Sequence, residues 1–320
     1  MLSAPRGRDP LSDGWRTFAG MPGPHPPAAG PSLSPSRAAD FMTCPLLYRF
    51  RVIDRLPEEP SPAATRGTVV HAALERLFDL PAAERTPEAA RGLVEPEWLR
   101  LLEAEPELER LFAGSGDAEG VAAQVAEFLG GARDLVDAYF RLEDPRRLEP
   151  AERELHVSTS LESGLALRGY VDRLDVAPGG ELRVVDYKTG KAPAEGFEGK
   201  ALFQMRFYAL VLWRMHGRVP SMLKLLYLGS GVEVTYTPDE RDLRATERKI
   251  EALWQAIARA HETGEWRPNP SRLCDWCDHR ALCPAWGGTP PPLPAAPDSE
   301  AAADDAVDEA PTPSTPVDEV

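Results

Sequence analysis

Two short segments hold residues whose types and spacing could do chemistry. One reads Gly169-Tyr170-Val171-Asp172-Arg173-Leu174-Asp175, the other Val184-Val185-Asp186-Tyr187-Lys188-Thr189-Gly190. In an extended strand, side chains at i and i+2 share a face, so Asp186 and Lys188 project together while Tyr187 points away. Pro178-Gly179-Gly180 between the segments reads as a hairpin turn, which makes the strand of Asp172 the neighbour of the strand of Asp186. Two carboxylates beside an ammonium suit a hard divalent cation, Mg²⁺ or Mn²⁺, and an activated water. The lysine can orient that water or help deprotonate it. An isolated Asp-x-Lys is usually an ion pair or a solvated edge; the pairing with Asp172 sets this one apart.

His71 lies in Gly67-Thr68-Val69-Val70-His71, on a helix expected from Thr68 to Phe78 with Val70, Leu74, Leu77 and Phe78 on its buried side. A neutral imidazole can join such a cation, although a lone helical histidine is more often structural. Gln204 and Tyr208 share a helix face at i, i+4 and could contact phosphate or hold Lys188; the plainer reading is polar groups satisfied within a buried helix. The four cysteines are Cys44, near the start, and a compact Cys274-x₂-Cys277-x₅-Cys283 triple. Four thiolates can hold tetrahedral zinc or an iron–sulfur cluster, and the spacing alone does not decide. Zinc ribbons normally use two paired Cys-x-x-Cys knuckles, a pattern the lone distant Cys44 departs from. Either metal would staple the N-terminal helix to the C-terminal segment and close a very long loop. Trp276 and Trp286, beside the triple, read as packing residues.

The elements that must position these groups follow from the pattern. Ser34-Pro35 is an N-cap followed by Pro at N1, opening a short helix that ends near Cys44-Pro45. Residues from about 85 to 142 carry helical periodicity. Strands are expected over Leu155–Val157, Leu165–Val176, Leu182–Tyr187, Met222–Leu228 and Val232–Tyr236. Leu202–Met215 is apolar on most faces, as suits a helix buried against the sheet. Asp239 starts an amphipathic helix carrying Leu243, Ile250, Leu253, Trp254 and Ile257. The expected class is α/β, a mixed sheet with a large helical segment before it. Residues 1–30 and 287–320, rich in Pro, Ala and Gly without periodicity, are expected to be disordered, leaving 31–286 as one folded body.

Composition fits that class: 320 residues, 42% hydrophobic and 27% charged. The longest apolar run, Phe207–Trp213, is far short of the ~20 residues that span a membrane. The first 30 residues hold no apolar leader stretch, so the expected compartment is the cytoplasm, where clustered cysteines suggest metal chemistry rather than disulfides. The net charge is −15, yet eight acids and no base follow Gly287, just over half of that charge. The mildly acidic remainder can still carry a local basic groove for phosphate. Arg49, Arg51, Arg55, Arg66, Arg168 and Arg173 are the candidate strand contacts.

In this order, Gly-Thr-x-x-His, Gly-x-x-Asp-Arg-x-Asp, Asp-Tyr-Lys-Thr-Gly-Lys and Gln-x-x-x-Tyr resemble the RecB-like nucleases of the PD-(D/E)XK superfamily, over about residues 31–286. The resemblance implies a restriction-endonuclease-like core with a helical insertion. It also implies a metal-dependent deoxyribonuclease, an exonuclease of DNA repair or recombination acting on single strands or strand ends. Asp172, Asp186, His71 and the Tyr187 backbone carbonyl become metal ligands and Lys188 the catalytic lysine. Gln204 and Tyr208 match the motif after the core strands. The family often places a glutamate on the preceding strand, for which Glu152 and Glu154 compete. One early and three late cysteines, with Cys44-Pro45 and Cys283-Pro284, resemble the iron–sulfur nucleases, the AddB subunit of helicase–nucleases and the CRISPR adaptation exonucleases. That likeness implies a 4Fe–4S staple rather than zinc. A helicase partner, or a non-catalytic DNA-binding scaffold, is the alternative. The chain holds no Gly-x-x-x-x-Gly-Lys-Ser/Thr phosphate loop of its own.

Overall fold

A computed structural model describes residues 31–114, 117–194 and 199–294. The segments 1–30 and 295–320, expected to be disordered, lie outside the described residues. The chain order is β1 (Ser32–Leu33), α1 (Pro35–Thr43), α2 (Pro45–Tyr48), α3 (Pro62–Leu77), α4 (Pro87–Ala104), α5 (Ala118–Leu142), β2 (Glu152–Ser160), β3 (Ala166–Val176), β4 (Leu182–Lys188), α6 (Gly199–His216), β5 (Met222–Tyr227), β6 (Val232–Tyr236) and α7 (Glu240–Thr263). Side-chain caps open most of the helices. The Ser34 hydroxyl accepts from Arg37 N–H with Pro35 at N1, and Ser61, Thr86 and Asp117 do the same for α3, α4 and α5. Asp239 and Asp242 form a reciprocal capping box for α7. Among the described residues, no helix is long and apolar enough to cross a membrane.

The sheet is mixed, in the order β1-β3-β4-β5-β6, with β2 along the other edge of β3. β2 pairs antiparallel with β3 from Glu152–Leu174 to Ser160–Ala166. On the opposite edge, β1 takes only Ala166 and Leu167, in parallel, and β4 only Arg173 to Val176, antiparallel. From Arg168 to Asp172 that edge has no strand beside it, so β3 and β4 part like a fork. The two-residue β1 is too short to carry a periodic signal in the sequence.

Alternation sorts the side chains into two cores. Val184, Leu223 and Leu225 pack with Phe207, Leu210, Leu243 and Ile250 on the α1, α6, α7 side. Val185, Tyr187 and Leu226 pack with Val70, Leu74, Trp98, Phe128 and Tyr139 on the α3, α4, α5 side. The parallel pair β4 and β5 is therefore covered on both faces, which is why each reads as a nearly continuous apolar run. Each large side chain so buried contributes about 1.5–3 kcal/mol.

Arg173 corrects one expectation. It is fully buried and contacts no solvent. Its Nη1 donates to Tyr187 Oη at 2.9 Å and to Glu143 Oε2 at 2.8 Å, and its Nη2 to Glu143 Oε1 at 3.1 Å and Asp175 Oδ2 at 3.2 Å. Lys224 on β5 adds a 3.3 Å bond to Glu143. The guanidinium thus ties β3, β4 and the end of α5 together and is unavailable to nucleic acid. Arg49, paired with Asp54, and Arg51, paired with Asp40 and Glu58, are likewise engaged inside the fold. Trp276 departs from its expected packing role, being 76% exposed.

Arg173→Met should cost on the order of 3–5 kcal/mol in chemical denaturation, because it strands buried Glu143 and Asp175. The pH dependence identifies the cause. Burial alone would raise the Glu143 carboxyl, but Arg173 and Lys224 outweigh it and hold the group below its ordinary range. A depressed folded-state pKa gives stability that is present above the unfolded pKa and lost as pH falls. The acid-side loss of stability should flatten in Arg173→Met; an unchanged slope would refute the network's role.

Candidate active site

The fork between β3 and β4 is where the predicted residues meet. Register places Arg173 opposite Val185. One step further, Asp172 would face Asp186, but the ladder has ended and the Asp172 carboxylate itself accepts the Tyr187 N–H, at 2.7 Å. On the other edge of β3, Arg153–Arg173 and Leu155–Val171 flank Glu154, which therefore stands across from Asp172. Glu154, Asp172 and Asp186 form one row over three strands. Glu154 has a left-handed backbone, φ 43°, worth roughly 1–2 kcal/mol of strain for a residue with a Cβ. Glu152 is exposed and lies outside the group, so register chooses between the two glutamates.

α3 supplies His71 from above. Its Nε2 lies 2.9 Å from the Tyr187 carbonyl oxygen, and its Nδ1 3.5 Å from Asp172 Oδ2. His71, Glu154 and Asp172 each offer a ligand atom within 4.8 Å of the others. Burial pushes the Asp172 carboxyl up; His71 opposes this and Asp186 adds to it. Burial pushes Glu154 up further, with Asp172, Glu75 and Asp186 reinforcing the shift. Glu154 Oε2 is buried without a hydrogen-bond partner. Crowded, desolvated carboxylates of this kind are costly unless a cation joins them. The donor set of oxygens plus one imidazole fits a hard divalent ion. The 2.9 Å contact between His71 Nε2 and the Tyr187 oxygen keeps both atoms at the mouth of the fork.

Asp186 is held differently from the other two acids. Lys188 Nζ lies 2.8 Å from Asp186 Oδ2, as expected of i, i+2 on one strand face. The same ammonium donates to Gln204 Oε1 at 2.7 Å, and Gln204 Nε2 donates to Tyr208 Oη at 3.2 Å. α6 therefore orients the lysine through a relay of side chains. Gly169 is what lets α6 come close: a Cβ there would stand 2.8 Å from the Tyr208 ring. The glycine of Gly-x-x-Asp is thus a docking position for the tyrosine of Gln-x-x-x-Tyr, a link the sequence alone did not reveal.

The four cysteines line one largely apolar cavity with Leu46, Phe50 and Pro268. Asn269 N–H donates to Cys44 Sγ and Ser271 N–H to Cys274 Sγ, both at 3.3 Å. Burial pushes the Cys277 thiol up, the His279 backbone N–H opposes this, and the nearby Cys274 and Cys44 add to it. The beginning and end of the folded body meet at this cavity.

The architecture is thus an α/β domain, a mixed sheet between two helical layers, with carboxylates, an imidazole and a lysine gathered at a fork of its central strands. A family model confirms the relationship: residues 32–284 match that of the PD-(D/E)XK nuclease superfamily, and the chain belongs to that superfamily. Nucleases of this superfamily use divalent metals. The chain is similar to the gene 69 protein of Mycobacterium phage D29, 25% identical over 276 residues, covering 80% of this chain and 97% of the relative. It is similar also to the gene 69 protein of Mycobacterium phage L5, 23% identical over 290 residues with the same coverage. Among solved structures, one from Eubacterium rectale, named as a candidate exonuclease, superposes with a TM-score of 0.50 at 15% identity, covering 78% of this chain and 87% of that one. At that identity the likeness speaks for the fold alone.

Glu154→Gln should make the metal-free protein more stable, because it removes one of three crowded carboxylates. The same change should remove most of the thermal stabilisation by Mn²⁺, which for a site at 100 times its Kd is about 2.7 kcal/mol. Thermal melts in EDTA and in Mn²⁺ check both halves. An equal Mn²⁺ shift in the variant and the parent would exclude Glu154 from the metal site.

Proposed function

We propose that this protein is a metal-dependent DNA exonuclease. The observation that carries the reading is the meeting of Glu154, Asp172, Asp186, His71 and Lys188 at one strand fork. His71, Asp172, Glu154 and the Tyr187 carbonyl would hold the ion, with Asp186 at the boundary between ion and lysine. When bound by these residues, a divalent ion would supply polarisation of the scissile phosphate and a lowered pKa for the attacking water. Water attacks phosphorus and the bond to the leaving sugar oxygen breaks. The Lys188 ammonium, fixed by Asp186 and Gln204, faces the negative charge that develops on the phosphoryl oxygens; preorganised charge of this kind is worth about 10²–10³ in rate. The name of the Eubacterium rectale neighbour and the cover of the α3–α5 layer over the fork favour action on strand ends.

Lys188→Ala should lose at least about 10²-fold in cleavage of end-labelled linear single-stranded DNA with Mn²⁺ or Mg²⁺, while its melting curve stays close to the parent's. EDTA should abolish cleavage by the parent, and circular DNA should survive. Full activity in Lys188→Ala would sink the assignment, and cutting of the circle would make the enzyme an endonuclease with the same chemistry.

The thiol cavity is read as the seat of a 4Fe–4S cluster with a structural role. The N–H bonds to sulfur suit thiolate ligands, and the resemblance to iron–sulfur nucleases is what favours a cluster. Protein purified without oxygen should be brown. Cys277→Ser should be colourless and less stable; a brown variant with full iron content would refute the ligand assignment.

A further inference from the structure

A second cleft lies beside the fork, on the α3–α5 side of the sheet. It is an open groove of about 360 Å³, walled by Arg66 of α3 and by Gly131, Asp134 and Arg141 of α5, and floored by Thr189 and Leu228 at the ends of β4 and β5. We infer that this groove binds the phosphodiester backbone of a single nucleic-acid strand leading to the fork, with Arg66 and Arg141 as its phosphate contacts. The inference rests on the nuclease reading and extends it to where the rest of the substrate lies.

Three observations carry it. First, both arginines point their charge at a concave surface and make no ion pair among the described residues, whereas Arg49, Arg51, Arg85, Arg91, Arg173, Arg183 and Arg214 are all paired. Cations left without a carboxylate in so acidic a chain are available to an outside anion, and a planar guanidinium matches phosphate oxygens in pairs. Second, α5 carries Gly131 in its interior, where glycine weakens a helix. A Cβ at that position would stand 3.1 Å from Arg66 Nη1, so the glycine is what lets the Arg66 guanidinium lie against the groove wall. Third, the floor is continuous with the fork. Thr189 follows Lys188 directly, and Leu228 N–H donates to the Lys188 carbonyl at 2.7 Å. Arg141 sits in the last turn of α5, just before Glu143, which the Arg173 network fixes. Asp134 faces the same groove and opposes binding.

The test is fluorescence anisotropy of a labelled dT₂₀ oligonucleotide in EDTA, over a range of salt concentrations. It is run beside Mn²⁺-dependent hydrolysis of bis-p-nitrophenyl phosphate, a diester small enough to fill the cleavage site alone. The double variant Arg66→Ala, Arg141→Ala should bind dT₂₀ about 10-fold or more weakly, and its log–log salt slope should shrink by about 1.4, or ~0.7 per lost phosphate contact. Asp134→Asn should bind more tightly than the parent. Hydrolysis of the small diester should be unchanged in both. Parental affinity and slope in the double variant would overturn the inference, as would an equal loss on the small diester, which would place the arginines' effect at the cleavage site. A parent that binds dT₂₀ through these arginines yet hydrolyses no diester would overturn the nuclease reading and leave the groove standing.

Discussion

Asp172 accepts a backbone hydrogen bond from Tyr187 at the point where two strands stop pairing, and the site depends on that contact. A buried N–H at the end of a ladder needs an acceptor. Supplying one from a carboxylate does two things at once. It ends the β3–β4 pairing after Arg173–Val185, and it fixes the acid at the mouth of the fork. Asp172 is then braced between Glu154 on one strand, Asp186 on the next and His71 above. Had the ladder continued, that edge of β3 would have been covered and the carboxylates enclosed in the sheet.

The fork's crowding of negative charge is balanced by features at its rim. Lys188 offsets Asp186, and α6 holds Lys188 through Gln204 and Tyr208. On the opposite side of the strand, Tyr187 sends its hydroxyl to Arg173 while its carbonyl faces His71. Tyr187 therefore joins the site to the buried charge network, and the network joins the sheet to the α3–α5 layer. Residues that never touch a substrate set the angle at which the reactive ones stand. Glu154 adds local strain, with a left-handed backbone at the residue that completes the group.

The cysteine cavity lies where the ends of the folded body meet. Cys44 follows α1 and the other three follow α7, so closing this contact constrains nearly the whole domain. Short turns of the C-terminal segment aim backbone N–H groups at the sulfurs, an arrangement suited to thiolates. His279, buried between Cys277 and Cys283, pairs with Glu58 at 2.9 Å, and Glu58 also binds Arg51. The C-terminal segment is thereby held to the segment before α3 through Glu58, beside the four thiols.

Much of this was legible in the sequence, for local reasons. Period-two patterning, the Pro-Gly-Gly turn and the caps at Ser34 and Asp239 mark the strands, the hairpin and the starts of α1 and α7, because each depends on residues close along the chain, whereas α3 begins at Pro62, six residues before the expected Thr68. That Asp186 and Lys188 share a face follows from the pleat. Other features depended on contacts between distant segments. Which of Glu152 and Glu154 stands beside Asp172 is decided by pairing with β3, where a shift of two residues would exchange them and a shift of one would turn both to the other face. Arg173 looks like a surface cation in sequence and becomes a buried hub only because Tyr139 and Glu143 from the end of α5 and Tyr187 from β4 join its strand neighbour Asp175 to satisfy it. The purpose of Gly169 appears only when the Tyr208 ring is laid against it. The sequence alone determined which residues could act and on which elements they ride, since propensity and periodicity are local. Only the tertiary structure decided which acids converge and which arginines remain free, because burial and charge pairing are settled by neighbours that the chain brings from far away.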